Sequence, residues 1–316
     1  MKTTGCIIPC YKGDKTTIKI INDALNLVDH VVLVDDCCPN FISRIVSKEI
    51  KDEKLVIIKN EFNQGIGASV KKGFNYLLSI NCDIIIKIDA DGQISPSLIP
   101  KIIKPLIHEN AEAVKGNRFT NVDNVLSMPL LRLFGNLALS FINKLSSGYW
   151  ELFDPTNGFI AFDSNSLRKI RLNKLDDRYF FESSLLFECS LANIYFKQIP
   201  MKSIYKNEIS SLKPLSEIVG FSYKHIINCM KRIIYQYYIL DFNAGSLELI
   251  GSMICLIISF IYYICFNYKN LLLGSIYASP GEANLLAVLL IISFQLFLSF
   301  IFFDTTQMPL LRRIKN

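Results

Sequence analysis

Two stretches near the C-terminus carry no charged residue, Leu249 to Tyr268 and Ala283 to Phe303. A bilayer core about 30 Å thick takes roughly 20 apolar residues in a helix, so each stretch is long enough to cross one. A core helix of a soluble protein rarely runs so far without a charge, and here two such runs follow in tandem. The sequence therefore predicts a two-helix membrane hairpin over residues 246–306. Hydrophobic residues make up 51% of the 316, with a mean hydropathy of +0.31, and the excess is concentrated in these runs.

The flanks predict an orientation. Between Lys197 and Arg232 stand seven basic residues (Lys197, Lys202, Lys206, Lys213, Lys224, Lys231 and Arg232) against Glu208 and Glu217. A tail over residues 307–316 adds Arg312, Arg313 and Lys315, whereas the connecting loop holds only Lys269 and Glu282. Positive charge on both outer flanks places both termini in the cytoplasm. Met1–Pro9 is too short for the apolar region of a targeting signal, so the first 245 residues are expected to stay where they are made. The net charge of +6 then reads as attraction to an anionic membrane surface, with no sign of nucleic acid as a partner. Nine cysteines, an odd number without a C-x-x-C pair, imply neither a disulfide framework nor a zinc site.

Ahead of the hairpin, apolar runs alternate with amphipathic stretches. Strands are predicted at Gly5–Pro9, His30–Val34, Lys54–Asn60, Ile84–Asp89 and Ala113–Asn117, with helices such as Thr16–Leu27 and Ala68–Ser79 between them. This is the pattern of an α/β fold, a mostly parallel sheet covered on both faces. Ligands of such sheets bind beyond the carboxyl ends of the strands, and polar residues cluster there: Pro9-Cys10-Tyr11, Asp35-Asp36, Asn63-Gln64-Gly65, Asp89–Gln93 and Gly116-Asn117-Arg118. Further on, the spacing predicts a helix over Leu130–Ser147, a loop over Gly148–Gly158, a strand near Phe159–Phe162 and a helix near Phe180–Ala192. Within residues 213–245, Ser216–Tyr238 has apolar positions at helical spacing with Lys224, Lys231 and Arg232 between them. A basic amphipathic helix next to a membrane span is expected to lie in the interface, or else to pack on the soluble domain.

Asp89-Ala90-Asp91 ends an apolar strand at the Gly92 turn. Two carboxylates at i and i+2 there can converge on one hard cation, Mg²⁺ or Mn²⁺, together with phosphate oxygens. Such a cation would neutralise charge developing on a departing diphosphate. By itself the pattern also suits a plain turn; its place at the crevice favours the cation. Gly65-Ile66-Gly67-Ala68-Ser69-Val70 lacks the third glycine of a dinucleotide fingerprint and follows the third strand rather than the first, which excludes a dehydrogenase. No phosphate loop of the G-x-x-x-x-G-K-[ST] kind and no G-x-S-x-G elbow occurs, and His30, His108 and His225 are poorly placed for a triad.

Taken together, Pro9-Cys10-Tyr11, Val32–Asp36, Asn63–Ala68, Asp89–Gln93, Gly116–Arg118, Asp154–Phe159 and Tyr205–Ser210 resemble glycosyltransferase family 2. More narrowly they are similar to its polyprenyl-phosphate branch, in family order over roughly residues 4–212. The resemblance implies a Rossmann-like nucleotide-sugar (GT-A) domain over 1–212, a divalent metal, and inversion at the sugar carbon. It also implies a nucleotide-sugar donor, a polyprenyl phosphate acceptor and an anchor in the bilayer of a bacterial inner membrane or its equivalent, and it leaves room for a homo-oligomer. By position, Pro9, Tyr11 and Asp36 would bracket the nucleoside, with Gln64, Asp89 and Ala90 in the same nucleotide-binding group. Asp89, Asp91 and Gln93 would hold metal and diphosphate, and Arg118 and Arg132 an acceptor phosphate. The chain departs from the family at Lys12-Gly13-Asp14, Cys38 and Ile66, positions that bear on base and sugar preference.

A phosphate monoester, with its second pKa near about 6, is largely a dianion at neutral pH and needs positioning rather than a strong base. A sugar hydroxyl on a growing lipid-linked glycan would instead need a base, for which Asp154 or Glu182 is the candidate. A scaffold that keeps the fold without catalysis is the third expectation, and intact Asp89, Asp91, Arg118 and Arg132 weigh against it.

Overall fold

The structure is a computed structural model that describes residues 2–120, 130–202, 214–273 and 279–315, with the side chains of 130–132, 214–218, 270, 273 and 307–315 left undescribed. Of the segments singled out above, Tyr205–Ser210 and the side chain of Arg132 lie outside the described residues. The chain divides into two compact units, Met1–Met230 and Lys231–Lys315.

The first unit is built on seven strands: β1 (Thr4–Cys10), β2 (His30–Asp35), β3 (Leu55–Lys59), β4 (Ile84–Lys87), β5 (Ala113–Asn117), β6 (Ile160–Asp163) and β7 (Phe196–Pro200). Their order is β3-β2-β1-β4-β6-β5-β7. All run parallel except β6, which is antiparallel to both β4 and β5. The expectation of a mostly parallel sheet holds, with one strand reversed and β7, which carries no apolar run of its own, added at the edge.

Successive residues of the central strands face opposite sides, as the two-residue period of a strand requires. Cys6, Ile8, Leu33 and Ile86 pack on one face against α1 (Lys15–Leu25), α2 (Ile42–Glu49) and α4 (Ile99–His108). Ile7, Val32, Val34 and Ile85 pack on the other against α3 (Ile66–Ser79) and the later helix α7 (Phe181–Leu191). Burying each such side chain contributes about 1.5–3 kcal/mol, and none of these eight is more than marginally exposed. Asp14 starts α1 as a capping box: its carboxylate accepts from Thr16 N, and Thr17 Oγ1 accepts from Asp14 N. Helices α5 (Leu130–Ser147) and α6 (Ser164–Arg168) flank β6 in sequence.

Helix α8 (Pro214–Ile234) presents Val219, Tyr223, Ile226, Met230 and Ile234 as one exposed apolar stripe, 50–73% accessible. On its other side His225 is buried, its Nδ1 2.8 Å from Ser146 Oγ and its ring 4.8 Å from that of Phe180. The helix thus both packs and leaves an apolar face outward.

The second unit is a helical hairpin, α9 (Ala244–Leu273) and α10 (Pro280–Lys315), preceded by a π-helical turn at Tyr235–Ile239. Ala244–Lys269 and Pro280–Thr306 are long and apolar enough to cross a membrane, and only 11% of each apolar window is buried. That argues against core helices. Ser252 Oγ donates to Ser293 O and Ser293 Oγ to Ser252 O, both at 2.9 Å, so the two helices exchange hydrogen bonds. At one end, Asp304 accepts from Arg232 Nη1 (2.7 Å), Arg232 Nη2 (2.9 Å) and Tyr237 Oη (2.7 Å), with both charged side chains buried.

Candidate active site

The strand order turns back between β1 and β4, so a crevice opens at their carboxyl ends. β4 stops at Lys87, level with Ile7, while β1 runs on to Cys10. Pro9 therefore lies beyond the end of β4, where its missing N–H removes no ladder bond on that side. Tyr11 follows, half exposed, with Lys12 Nζ 5.7 Å above its ring. On the far side of the crevice come Asp89, Ala90 and Asp91.

Asp36 follows β2 and is buried. Its Oδ1 accepts from Asn60 Nδ2 (2.7 Å) and Gln64 N (2.8 Å), and its Oδ2 accepts from Gly65 N (2.8 Å). The carboxylate thereby folds the 60–65 loop over the crevice edge, with Gln64 held through its backbone. Gly65 has φ +99, a conformation that excludes side chains, and a Cβ there would also strike the Asp177 carbonyl at 2.4 Å. Asn60 itself is buried between Asp36 and Lys72, whose Nζ donates to its Oδ1 at 2.6 Å.

Asp91 is exposed at the turn, its Oδ1 accepting from Gln93 N at 2.9 Å. Asp89 is more enclosed. Its Oδ1 lies 2.7 Å from Lys87 Nζ as an ion pair, but takes no aligned hydrogen bond. Its Oδ2 faces Gly158, where a Cβ would stand only 1.7 Å away. Gly158 is thus required by the close approach of a carboxylate, not by its torsions. The residues present fit a hard divalent cation: two carboxylates at one turn, one enclosed and one exposed, leave the remaining positions to phosphates and water. Among the described residues no cluster of three or more metal-ligating side chains forms a closed cage.

Arg118 and Asp154, expected to act separately, are bonded to each other. Arg118 Nε and Nη2 donate to Asp154 Oδ2 and Oδ1, both at 2.7 Å, and Arg118 N adds a third bond at 3.1 Å. Asn157 Nδ2 reaches Asp154 Oδ2 at 3.2 Å and Gly116 O at 2.9 Å. Asp154, the candidate base for a hydroxyl acceptor, thus has a side chain 1% exposed and engaged by a cation. The pair ties the end of β5 to the 154–158 loop that carries Gly158.

Two lysines escaped the sequence reasoning because each sits inside an apolar strand. Lys87 and Lys115 both pair with Ile160 of β6, which puts them in one row on one face. Lys87 is 1% exposed, with Asp89 Oδ1 at 2.7 Å and Glu182 Oε1 at 3.4 Å. Burial pulls its ammonium down, but the two carboxylates more than offset this and hold it above the usual lysine value. Lys115 Nζ donates to Asn157 O at 2.5 Å, and burial lowers it to about 8 against the pull of Asp154 and Glu182. A cavity of about 10 Å³, wide enough for one water, lies between Lys87, Lys115, Asn157, Gly158, Phe181 and Glu182. Buried charge with a displaced lysine at a crevice is the pattern of a functional site. Glu182, on the first turn of α7, is engaged by Lys87.

Comparison with known proteins agrees with this fold. The profile of the family described as Glycosyl transferase family 2 matches residues 6–171, more than half of the chain. The chain is 31% identical to a UDP-N-acetylglucosamine–dolichyl-phosphate N-acetylglucosaminyltransferase of Methanococcus voltae, over 68% of this chain and 90% of that one. It is 24% identical to an undecaprenyl-phosphate mannosyltransferase of Micrococcus luteus, over 68% of this chain and 88% of the relative. Its fold matches that of glucosyl-3-phosphoglycerate synthase from Mycobacterium tuberculosis, solved with Mn²⁺, uridine diphosphate and phosphoglyceric acid. The TM-score is 0.53 at 17% identity, over 73% of this chain and 78% of the other, a likeness of fold alone.

Proposed function

Because the chain belongs to glycosyltransferase family 2 and has its GT-A fold, we propose that it transfers a sugar from a nucleotide-sugar to a polyprenyl phosphate at the membrane surface. The relatives named above are transferases of this kind, acting on dolichyl- or undecaprenyl-phosphate. The observation that carries the choice of acceptor is that both candidate bases are paired with cations, Asp154 with Arg118 and Glu182 with Lys87. A sugar hydroxyl needs a free base; a phosphate dianion does not.

In this scheme a lipid phosphate oxygen attacks the anomeric carbon as the bond to the diphosphate breaks, the leaving group departing with the electron pair. One displacement inverts the configuration at that carbon. Asp89 and Asp91, with Gln93 beside them, would hold a Mg²⁺ or Mn²⁺ ion that neutralises charge on the departing diphosphate. Pro9, Tyr11, Ala90 and the 60–65 loop held by Asp36 would shape the nucleoside pocket, with Gln64 at its edge. Arg132 would meet the acceptor phosphate, with Arg118 contributing charge and, through Asp154, position. The apolar hairpin and the outward stripe of α8 suit a bilayer and its interface. The basic flanks favour a cytoplasmic catalytic unit with both termini on that side, as cytosolic nucleotide-sugars require.

The test is a panel of radiolabelled nucleotide-sugars offered to the purified protein with short-chain polyprenyl phosphate or the matching polyprenol. Label should enter the lipid only with the phosphate. Equal transfer to the polyprenol, or transfer only to glycan hydroxyls, would overturn the acceptor.

A further inference from the structure

The ammonium of Lys87 stands where it competes for Asp89. An enclosed ammonium is stable only beside carboxylates, and Lys87 divides itself between Asp89 and Glu182. The row through Ile160 brings Lys115 to the same face, where it grips the Asn157 carbonyl next to Gly158. One lysine therefore holds the Asp89 carboxylate itself, and the other holds the loop that walls it in.

We infer that Lys87 is a positioning residue that occupies Asp89 in place of a metal ion, so that cation and diphosphate bind together rather than cation first. The inference rests on the assignment of Asp89 and Asp91 to a cation. A bare divalent ion approaching Asp89 meets a like charge at contact range in a partly desolvated site, where repulsion is large. A cation already carrying a nucleoside diphosphate arrives with net negative charge, and the same ammonium attracts it. One buried charge thus disfavours the first species and favours the second. It also keeps the Asp89 carboxylate in one orientation until the complex arrives, which lowers the reorganisation needed at the moment of binding.

The experiment measures Mn²⁺ binding to the full-length protein in detergent, with Mn²⁺ alone and with Mn²⁺ plus uridine or guanosine diphosphate, by the free-ion electron paramagnetic resonance signal. Lys87→Met is expected to bind Mn²⁺ alone on the order of tenfold tighter than wild type or more, and to lose most of the gain that the diphosphate confers. Lys87→Arg keeps the charge and should stay near wild type. Glu182→Gln leaves the ammonium wholly to Asp89 and should weaken binding of Mn²⁺ alone. Loss of the diphosphate-dependent gain in Lys87→Met, with Lys87→Arg near wild type, is what a merely structural lysine would not produce. Unchanged Mn²⁺ affinity in Lys87→Met, or shifts of the same sign in Lys87→Met and Glu182→Gln, overturns the inference while leaving the cation site standing. If Lys87→Met does not fold, tighter or unchanged binding in Glu182→Gln overturns it. Wild-type protein that binds no Mn²⁺ with either diphosphate overturns the cation assignment itself and this inference with it.

Discussion

Arg118 and Asp154 meet edge to edge, Nε and Nη2 each 2.7 Å from a different carboxylate oxygen, in a place where Asp154 is 1% exposed. Two residues expected to mark alternative mechanisms therefore form one unit. Removing one partner of a buried pair typically costs about 3–5 kcal/mol, because the other charge is left without compensation. Arg118→Met and Asp154→Asn should each destabilise the protein and lower activity together. A double-mutant cycle on unfolding should show coupling of up to about 3 kcal/mol. Additive effects would mean that the pair does not operate in solution.

Asp91 stands exposed at the Gly92 turn, its Oδ1 accepting from Gln93 N, whereas Asp89 is enclosed beside Lys87 and Gly158. Asp91→Asn should therefore leave the unfolding transition near wild type. It should abolish Mn²⁺-dependent nucleotide binding and slow turnover on the order of a hundredfold or more. Full activity with excess chelator would contradict it.

At Gly158 a methyl group would come within 1.7 Å of Asp89 Oδ2. Gly158→Ala must push the carboxylate or the loop aside, at about 1–3 kcal/mol of stability. Displacement of Asp89 by an ångström would lower turnover roughly a hundredfold. Calorimetry and initial rates on one preparation separate the two effects.

Burial holds the His225 imidazole down at about 4, against an ordinary value of 6.5, with Ser146 and Phe180 against it and Lys224 above the Phe180 ring. The folded form thus resists a proton that the unfolded form accepts. Above pH 6.5 both are neutral and the group contributes nothing. As pH falls from 6.5 toward 4, stability should drop by up to about 3 kcal/mol. His225→Gln should flatten that part of the unfolding-versus-pH curve, and an unaltered slope would exclude His225 as its source.

The orientation is tested with reporters. A fusion after Asn316 should behave as cytoplasmic, and an insertion near Ser279, just ahead of α10, as external. The reverse pattern would put the catalytic unit away from cytosolic donors.

What could be read from the sequence was what changes locally in hydropathy. The apolar run Ile84–Ile88 breaking into Asp89-Ala90-Asp91 announces a strand end, and the uncharged runs announce the hairpin. What escaped depends on distant partners. Nothing near Arg118 hints that its counter-ion lies 36 residues on, and Lys87 and Lys115 look like solvent-facing interruptions of strands until Ile160 aligns them. The reversal of β6 was equally hidden, because hydrophobic periodicity carries no direction. Asp36 shows the same limit: nothing beside it in the sequence announces that its carboxylate accepts from Asn60, Gln64 and Gly65.

The Arg232–Asp304 contact makes the apolar hairpin particular to this protein. Asp304 follows the last apolar run of α10 and accepts from Arg232 and Tyr237, ahead of the hairpin. A generic pair of leucine-rich spans grafted after Leu240 would match the length and hydropathy of the original, yet would strand Arg232 without its counter-ion. The hairpin is therefore not interchangeable from Leu240 onward: Arg232, Tyr237 and Asp304 belong to one compact unit, Lys231–Lys315, and a graft keeps their contacts only if it keeps all three.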